Sequence, residues 1–351
     1  MRETARRAAV ATIVAGSIIV IGLGLWKLRL VLGLLFFAVI IASALRPSID
    51  ALARRGVPRP AGLALHYLAL AAAVAGAIAF AAPAALHQVD HAVSPSGKAE
   101  IARAAQSSSG VKHQALLALQ KRLRHLPSRS ELLKPAARVG VKAFEVLVGI
   151  AFTFAAAAYW IFERDRAIDL VCSLLPRPKR KLVRDTWGLI DARLGAFVRA
   201  QLVLIFLVGM ALSLLFWAIG EPYWLLVGSF AGLVEIVPVI GPLAAGALAV
   251  AVGFTTSIKV AALAAACVLG VRLLEDYLVM PRLLGEAVGL SPLLVLVSVT
   301  AIGFLFSGWA VLFAVPIAAV LVTLFDVILR DVDPAEEELP TVLFPARESE
   351  A

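Results

Sequence analysis

The stretch AGLVEIVPVIGPLAAGALAV, Ala231 to Val250, is apolar apart from one acid, Glu235, and it is interrupted by Pro238, Gly241 and Pro242. Proline removes a backbone donor and clashes with the preceding turn, so a helix must kink or stop here. In hydrocarbon, freed backbone groups and a carboxylate are tolerated only where protein buries them or where they line a wet cavity. The stretch therefore reads as a broken membrane helix beside an acid, a candidate transport site. The plainer alternative is a proline-kinked span with Glu235 near the interface.

The rest of the chain fits that setting. Hydrophobic residues make up 61% of the 351 residues and charged ones 16%, and the mean hydropathy is +0.92. A soluble core does not need so much apolar sequence, so the class is an all-α polytopic membrane protein. The net charge of +9 sits in segments that flank apolar runs. Membrane orientation and anionic lipid explain it better than nucleic acid does. Cys172 and Cys267 lie in or beside apolar sequence and form no CxxC pair. Neither a disulfide framework nor a metal site is expected, and no cofactor.

Arg2, Arg6 and Arg7 precede an uncharged run, Ala8 to Trp26, and a second run, Leu30 to Leu45, follows. The two predict a tight hairpin of spans, with Arg46, Arg54, Arg55 and Arg59 on the side of the N-terminus. Ala61 to Leu86 is a third span, in which His66 is a pore-facing or interfacial polar residue. His87 to Arg138 is polar, with nine Lys/Arg against three Asp/Glu. It is expected outside, against the positive-inside rule, which weakens for long loops. In it Leu116, Leu119, Leu123 and Leu126 keep helical spacing, and Ser128 with Glu131 form a possible capping box.

Glu145 to Phe162 returns to the inside. Within Glu163 to Arg199, Val183, Trp187, Ile190, Leu194 and Phe197 form one apolar stripe. It predicts a helix on the cytoplasmic membrane surface or against another subunit. The domain boundaries expected are 1–86, 87–138, 139–199, a core transport region 200–330, and an acidic, disordered and solvated tail 331–351.

Ala200 to Gly220 is an uncharged span that Glu221 and Pro222 interrupt. Val260 to Met280 is a span carrying Arg272, Glu275 and Asp276, and Pro281 ends it. The uncharged run Ala287 to Phe325 has 39 residues, about twice one crossing, with breaks expected at Ser307-Gly308 and Pro316. The second half thus alternates a span with a broken double-length stretch. If the long stretches are re-entrant hairpins, it is an inverted repeat, a recurring transporter design, and the termini lie together inside. Two full crossings per stretch is the alternative.

Arg272, Glu275 and Asp276 share one helix face at i, i+3 and i+4. One arginine neutralises one acid and leaves the other for a proton or cation. The alternative is an arginine–acid clamp between helices. The longer Glu275 is expected to pair with Arg272, which leaves Asp276 as the coupling acid, with Glu235 second.

Four blocks, VRAQLVL (198–204), GLVEIVPVIGP, LEDYLVMPRLLGEAVGLSPLLVLVSV and GFLFSGWAVLFAVPIAAVL, resemble the signature blocks of the autoinducer-2 exporter family of membrane permeases. The resemblance covers Arg193 to Phe325 by motif and the first half by hydropathy and layout. Val237 stands where isoleucine is usual, and Trp309 is bulkier than expected after Gly303 and Gly308. The resemblance implies about eight transmembrane helices, homo-oligomers in the inner membrane, and either export of autoinducer-2 or sodium/proton antiport.

Three function classes follow. The leading one is a permease that couples export of a small solute or cation to an ion gradient. No GxxxxGK[ST] occurs, so ATP-driven pumping by this chain is not expected. An enzyme is not expected, because His66, His87, His91, His113 and His125 form no HExxH. A non-transporting scaffold would explain the amphipathic stripe but not the acids beside broken helices.

Overall fold

The computed structural model describes residues 2–93, 136–237, 240–279, 291–306 and 308–337. Its helices are α1 (Arg2–Lys27), α2 (Arg29–Arg54), α3 (Arg59–Val93), α4 (Ala136–Ser173), α5 (Arg177–Ala218), α6 (Trp224–Val234), α7 (Ile240–Thr256), α8 (Ile258–Leu274), α9 (Pro292–Leu305) and α10 (Ala314–Leu329). A π turn, Glu275–Val279, follows α8, and a 3-10 turn, Gly308–Phe313, precedes α10. No strand occurs among the described residues. Segments of α2, α4, α5 and α10 are long and apolar enough to cross a membrane, and α1, α6, α7 and α9 contain shorter apolar helices. Large apolar side chains such as Ile18, Leu243 and Phe304 point outward, as lipid-facing residues must. The Leu116–Leu126 repeat, the Ser128–Glu131 box, Pro238 and Pro281 lie outside the described residues.

The stripe from Val183 to Phe197 needs a correction. It belongs to α5, which continues without interruption into the apolar span, and it packs inside this chain. Leu194 and Ile190 meet Ile40 of α2 and Phe313 at the start of α10, and Trp187 stacks near Trp160 of α4. Helical periodicity identifies an apolar face but not what covers it.

An ion-pair network at the same crossing joins α2, α4 and α5. Arg164 pairs with Asp191 and Asp165, Arg46 reaches Asp165 at 3.1 Å, and Ser43 Oγ donates to Asp191 at 3.1 Å. The expected boundary between 199 and 200 therefore falls within one helix. His66 Nδ1 lies 2.7 Å from the Gly62 carbonyl oxygen within its own helix.

Small residues let α6 lie antiparallel on α5. A Cβ on Gly228 would fall 2.2 Å from Ser213 Oγ, and one on Gly232 would fall 2.6 Å from the Ile205 carbonyl oxygen. Close backbone approach through small residues is how helices associate in lipid. α7 then runs back until Gly253 meets Ala261 of α8. α6 and α7 thus leave and rejoin the same end of α5. α6 has 11 residues, a rise of about 16 Å, which is half of a hydrocarbon core. α8, capped by Ser257 accepting from the Val260 N–H at 3.1 Å, returns antiparallel to α7.

The second long stretch bends between α9 and the 3-10 turn, where Gly303 packs on Val311. The Phe306 ring lies 5.9 Å from Trp26, beside the start of α2. The bend of the first hairpin lies near the other end of the apolar part of α2. There Gln201 holds Glu235, and Arg199 donates to the Ala44 carbonyl. About 22 Å of helix rise separates Arg29 from Ala44, so the two bends lie near opposite ends of the apolar part of α2. Pro316, expected as a break, is buried in the first turn of α10, where a missing N–H costs nothing. The tail expected to be solvated from Asp331 is partly held down, since Glu337 pairs with buried Arg193 at 2.9 Å.

Candidate functional site

Four elements converge on the bend of the α6–α7 hairpin. α6 stops at Val234, so the Glu235 carbonyl has no helical acceptor role to fill, and Gln201 Nε2 of α5 donates to it at 2.9 Å. Gly241 at the start of α7 sits against the end of α6. A Cβ there would lie 2.0 Å from the Val234 carbonyl oxygen, so no larger residue fits this crossing. Pro242 follows in the first turn of α7, where proline is tolerated.

α8 delivers the charges. Arg272 occupies its last turn, and Glu275 and Asp276 open the π turn. Such a turn widens the helix locally and frequently marks a functional site. Arg272 Nη1 lies 3.4 Å from Glu235 Oε1 and 3.2 Å from Glu275 Oε2, and Nη2 lies 3.0 Å from Asp276 Oδ1. The side chains of Glu235 and Glu275 are each 6% exposed, whereas Asp276 is 45% exposed. The longer Glu275 therefore does not pair alone. Arg272 holds all three acids, and Asp276 is the closest. No second cation pairs with them among the described residues.

A cavity of about 10 Å³ lies between these groups, walled by Val208, Leu212, Pro242, Ala245 and Val268. That is the room one water occupies. Ionised together, the three acids exceed the guanidinium by two charges beside the interruption between α6 and α7.

The remaining candidates lie apart. Val237, next to the bend, packs on the cluster of Val299, Val311 and Ala314. This places Gly303 and the Gly308 turn in the layer behind the cluster, not in it, and Pro316 two residues further along α10. Gln201, in the block VRAQLVL, is not among the residues expected from sequence; its signal there is a lone amide in a span with no charge. Nor is the spacing Gly209–Ser213 and Gly228–Gly232, which sets how closely α6 approaches.

The pattern of the AI-2E family transporter matches residues 16–330. "Putative transport protein YrrI" of Bacillus subtilis (strain 168) is 27% identical over 171 residues, 46% of this chain and 47% of that protein. "Putative transport protein YueF" of the same organism is 28% identical over 176 residues, 49% of this chain and 47% of that protein. The matched region spans about half the length of each relative. An apolar helical chain with a broken hairpin closing on buried acids, matched by this family along nearly its whole length, belongs to the AI-2E transporter family.

Proposed function

We propose that this protein is a membrane permease working by secondary transport. It exports a small solute driven by an ion gradient, with proton or cation exchange at the Arg272 cluster as the coupling step. The ratio of charges carries the reading: three acids share one guanidinium. Two negative charges remain, and in an apolar setting protons or cations must meet them. Glu235 and Glu275 make the exchange, since both are buried on the same nitrogen of Arg272. Asp276, half exposed, passes the ion to solvent. Loading changes the charge at the point where α6, α7 and the π turn meet, and so biases the bend.

The cavity supports a second reading. A space of about 10 Å³ admits a water or a bare small cation and excludes an organic solute. In that reading the protein is a sodium(lithium)/proton antiporter whose whole transport site is the cluster. Both readings place the termini, Arg46–Arg59 and Glu163–Arg199 in the cytoplasm, with homo-oligomers in the inner membrane.

The test is flux in proteoliposomes under an imposed pH or sodium gradient, with autoinducer-2, sodium and lithium as cargo. Glu235→Gln and Glu275→Gln should abolish ion-driven flux. Flux equal to that of the parent in both variants would sink the coupling role and leave a structural clamp.

A further inference from the structure

A third buried acid, Glu221, lies at the other end of α5. Gly220 adopts φ +72°. The Gly220 N–H donates to the Trp217 carbonyl at 3.1 Å and the Glu221 N–H to the Phe216 carbonyl at 2.9 Å. This Schellman turn directs Glu221 back into the protein. Its side chain lies beneath α7, where Gly253 leaves room: a Cβ on Gly253 would stand 3.1 Å from Glu221 Oε2. Glu221 is 2% exposed, and neither carboxyl oxygen has a hydrogen-bond partner among the described residues. From Gly241, beside the Arg272 cluster, to Gly253 the rise of α7 is about 18 Å.

A buried carboxylate with no cation and no donor is among the least tolerated groups in a core, whereas the neutral acid is accepted. No compensating charge faces it among the described residues. Ala200–Ala218 of α5, α6 and α7 contain no ionisable side chain. α8 contributes the Cys267 thiol, packed on the core that contains Phe216, Ala249 and Ala264. Lys259 of α8 is exposed, and Arg272 is at the far end. Tyr223 follows two residues later in the same loop. In that loop, beyond the α5 span, burial pushes the Glu221 carboxyl up to about 7.

We propose that Glu221 is a second proton-binding site, separate from the Arg272 cluster, neutral while α7 and α8 pack on the Gly220 turn and deprotonated when that packing opens. On opening, the carboxyl O–H bond breaks, the proton passes to bulk water, and the carboxylate left behind is solvated. Closing takes a proton back. Nothing in this step depends on the cargo or on the coupling role of the Arg272 cluster.

Infrared difference spectroscopy on the full-length protein in lipid vesicles tests it, with the pH stepped across neutrality. The parent should show a protonated-carboxyl band that disappears as pH rises. Glu221→Gln should lack that band, and Glu221→Asp should shift its frequency. The Glu235→Gln/Glu275→Gln variant should retain it, and loss there would assign the band to the Arg272 cluster and overturn the proposal. Identical titrations of parent and Glu221→Gln would overturn it too. So would removal of the band by sodium or lithium at fixed pH, which would make Glu221 a cation site. If Glu221→Gln does not fold, the frequency shift in Glu221→Asp decides: a shifted band supports the site and an unshifted one overturns it.

Discussion

Gln201 and Glu235, 34 residues apart, are joined by a 2.9 Å hydrogen bond from the Gln201 amide to the Glu235 carbonyl. The last carbonyls of a helix have no partner within it, and in apolar surroundings a bare carbonyl is costly. One amide in an otherwise uncharged span therefore stabilises the bend that carries the acid. Gln201→Leu should lower stability by about 1–3 kcal/mol, read as a fall in Tm in detergent, and should reduce flux as well.

Gly241→Ala places a methyl 2.0 Å from the Val234 carbonyl oxygen, whereas Gly246→Ala meets Val268 at an ordinary 3.5 Å. Overpacking costs about 1–3 kcal/mol. Gly241→Ala should lose transport and stability together, and Gly246→Ala should keep both. Equal behaviour of the two variants would show that the bend tolerates displacement.

Arg272→Gln leaves two buried acids and one half-exposed acid without a cation. The expected loss is about 2–4 kcal/mol, below a fully buried pair because Arg272 is partly exposed. Adding Glu275→Gln should recover part of that loss. A double-mutant cycle on chemical or thermal unfolding measures the coupling, and strict additivity would show that the pair does not interact.

Glu221 gives stability a pH dependence. Its pKa is raised from 4.5 to about 7 in the folded chain, so in that window the folded state binds more protons than the unfolded one. Stability then falls as pH rises from 4.5 to about 7 and levels off above. The difference in Tm between the parent and Glu221→Gln should follow this curve. A difference that does not vary with pH would contradict it.

Arg193 donates to Thr323 at 2.8 Å and pairs with Glu337 at 2.9 Å. Glu337→Gln removes the counter-charge of a buried guanidinium and loosens the segment after α10. Limited proteolysis between Arg330 and Glu337 should become several-fold faster, with a drop in Tm worth about 1 kcal/mol. Unchanged cleavage would mean that the pair does not hold the segment.

Much of this was legible one residue at a time. Apolar runs without charge dictate helices in lipid, because only a helix satisfies every backbone group within its own segment. Arg272, Glu275 and Asp276 had to share a face, since i, i+3 and i+4 do in any helix. Pro238, Gly241 and Pro242 marked the interruption between α6 and α7 for the same local reason. Tertiary structure decided everything that depends on which distant segment arrives. Glu235 joins Arg272 only because α6, α7 and α8 fold back on one another, and Gln201 reaches the bend only because glycines let α6 lie on the backbone of α5. The apolar stripe of α5 faces α2 and α10, not a membrane surface, because a period of 3.6 residues specifies a direction but not a partner. In the sequence Glu221, with Pro222, marks only the interruption after an uncharged span. Only the turn at Gly220 and the gap at Gly253 bury it, and burial without a partner is what makes it a proton site.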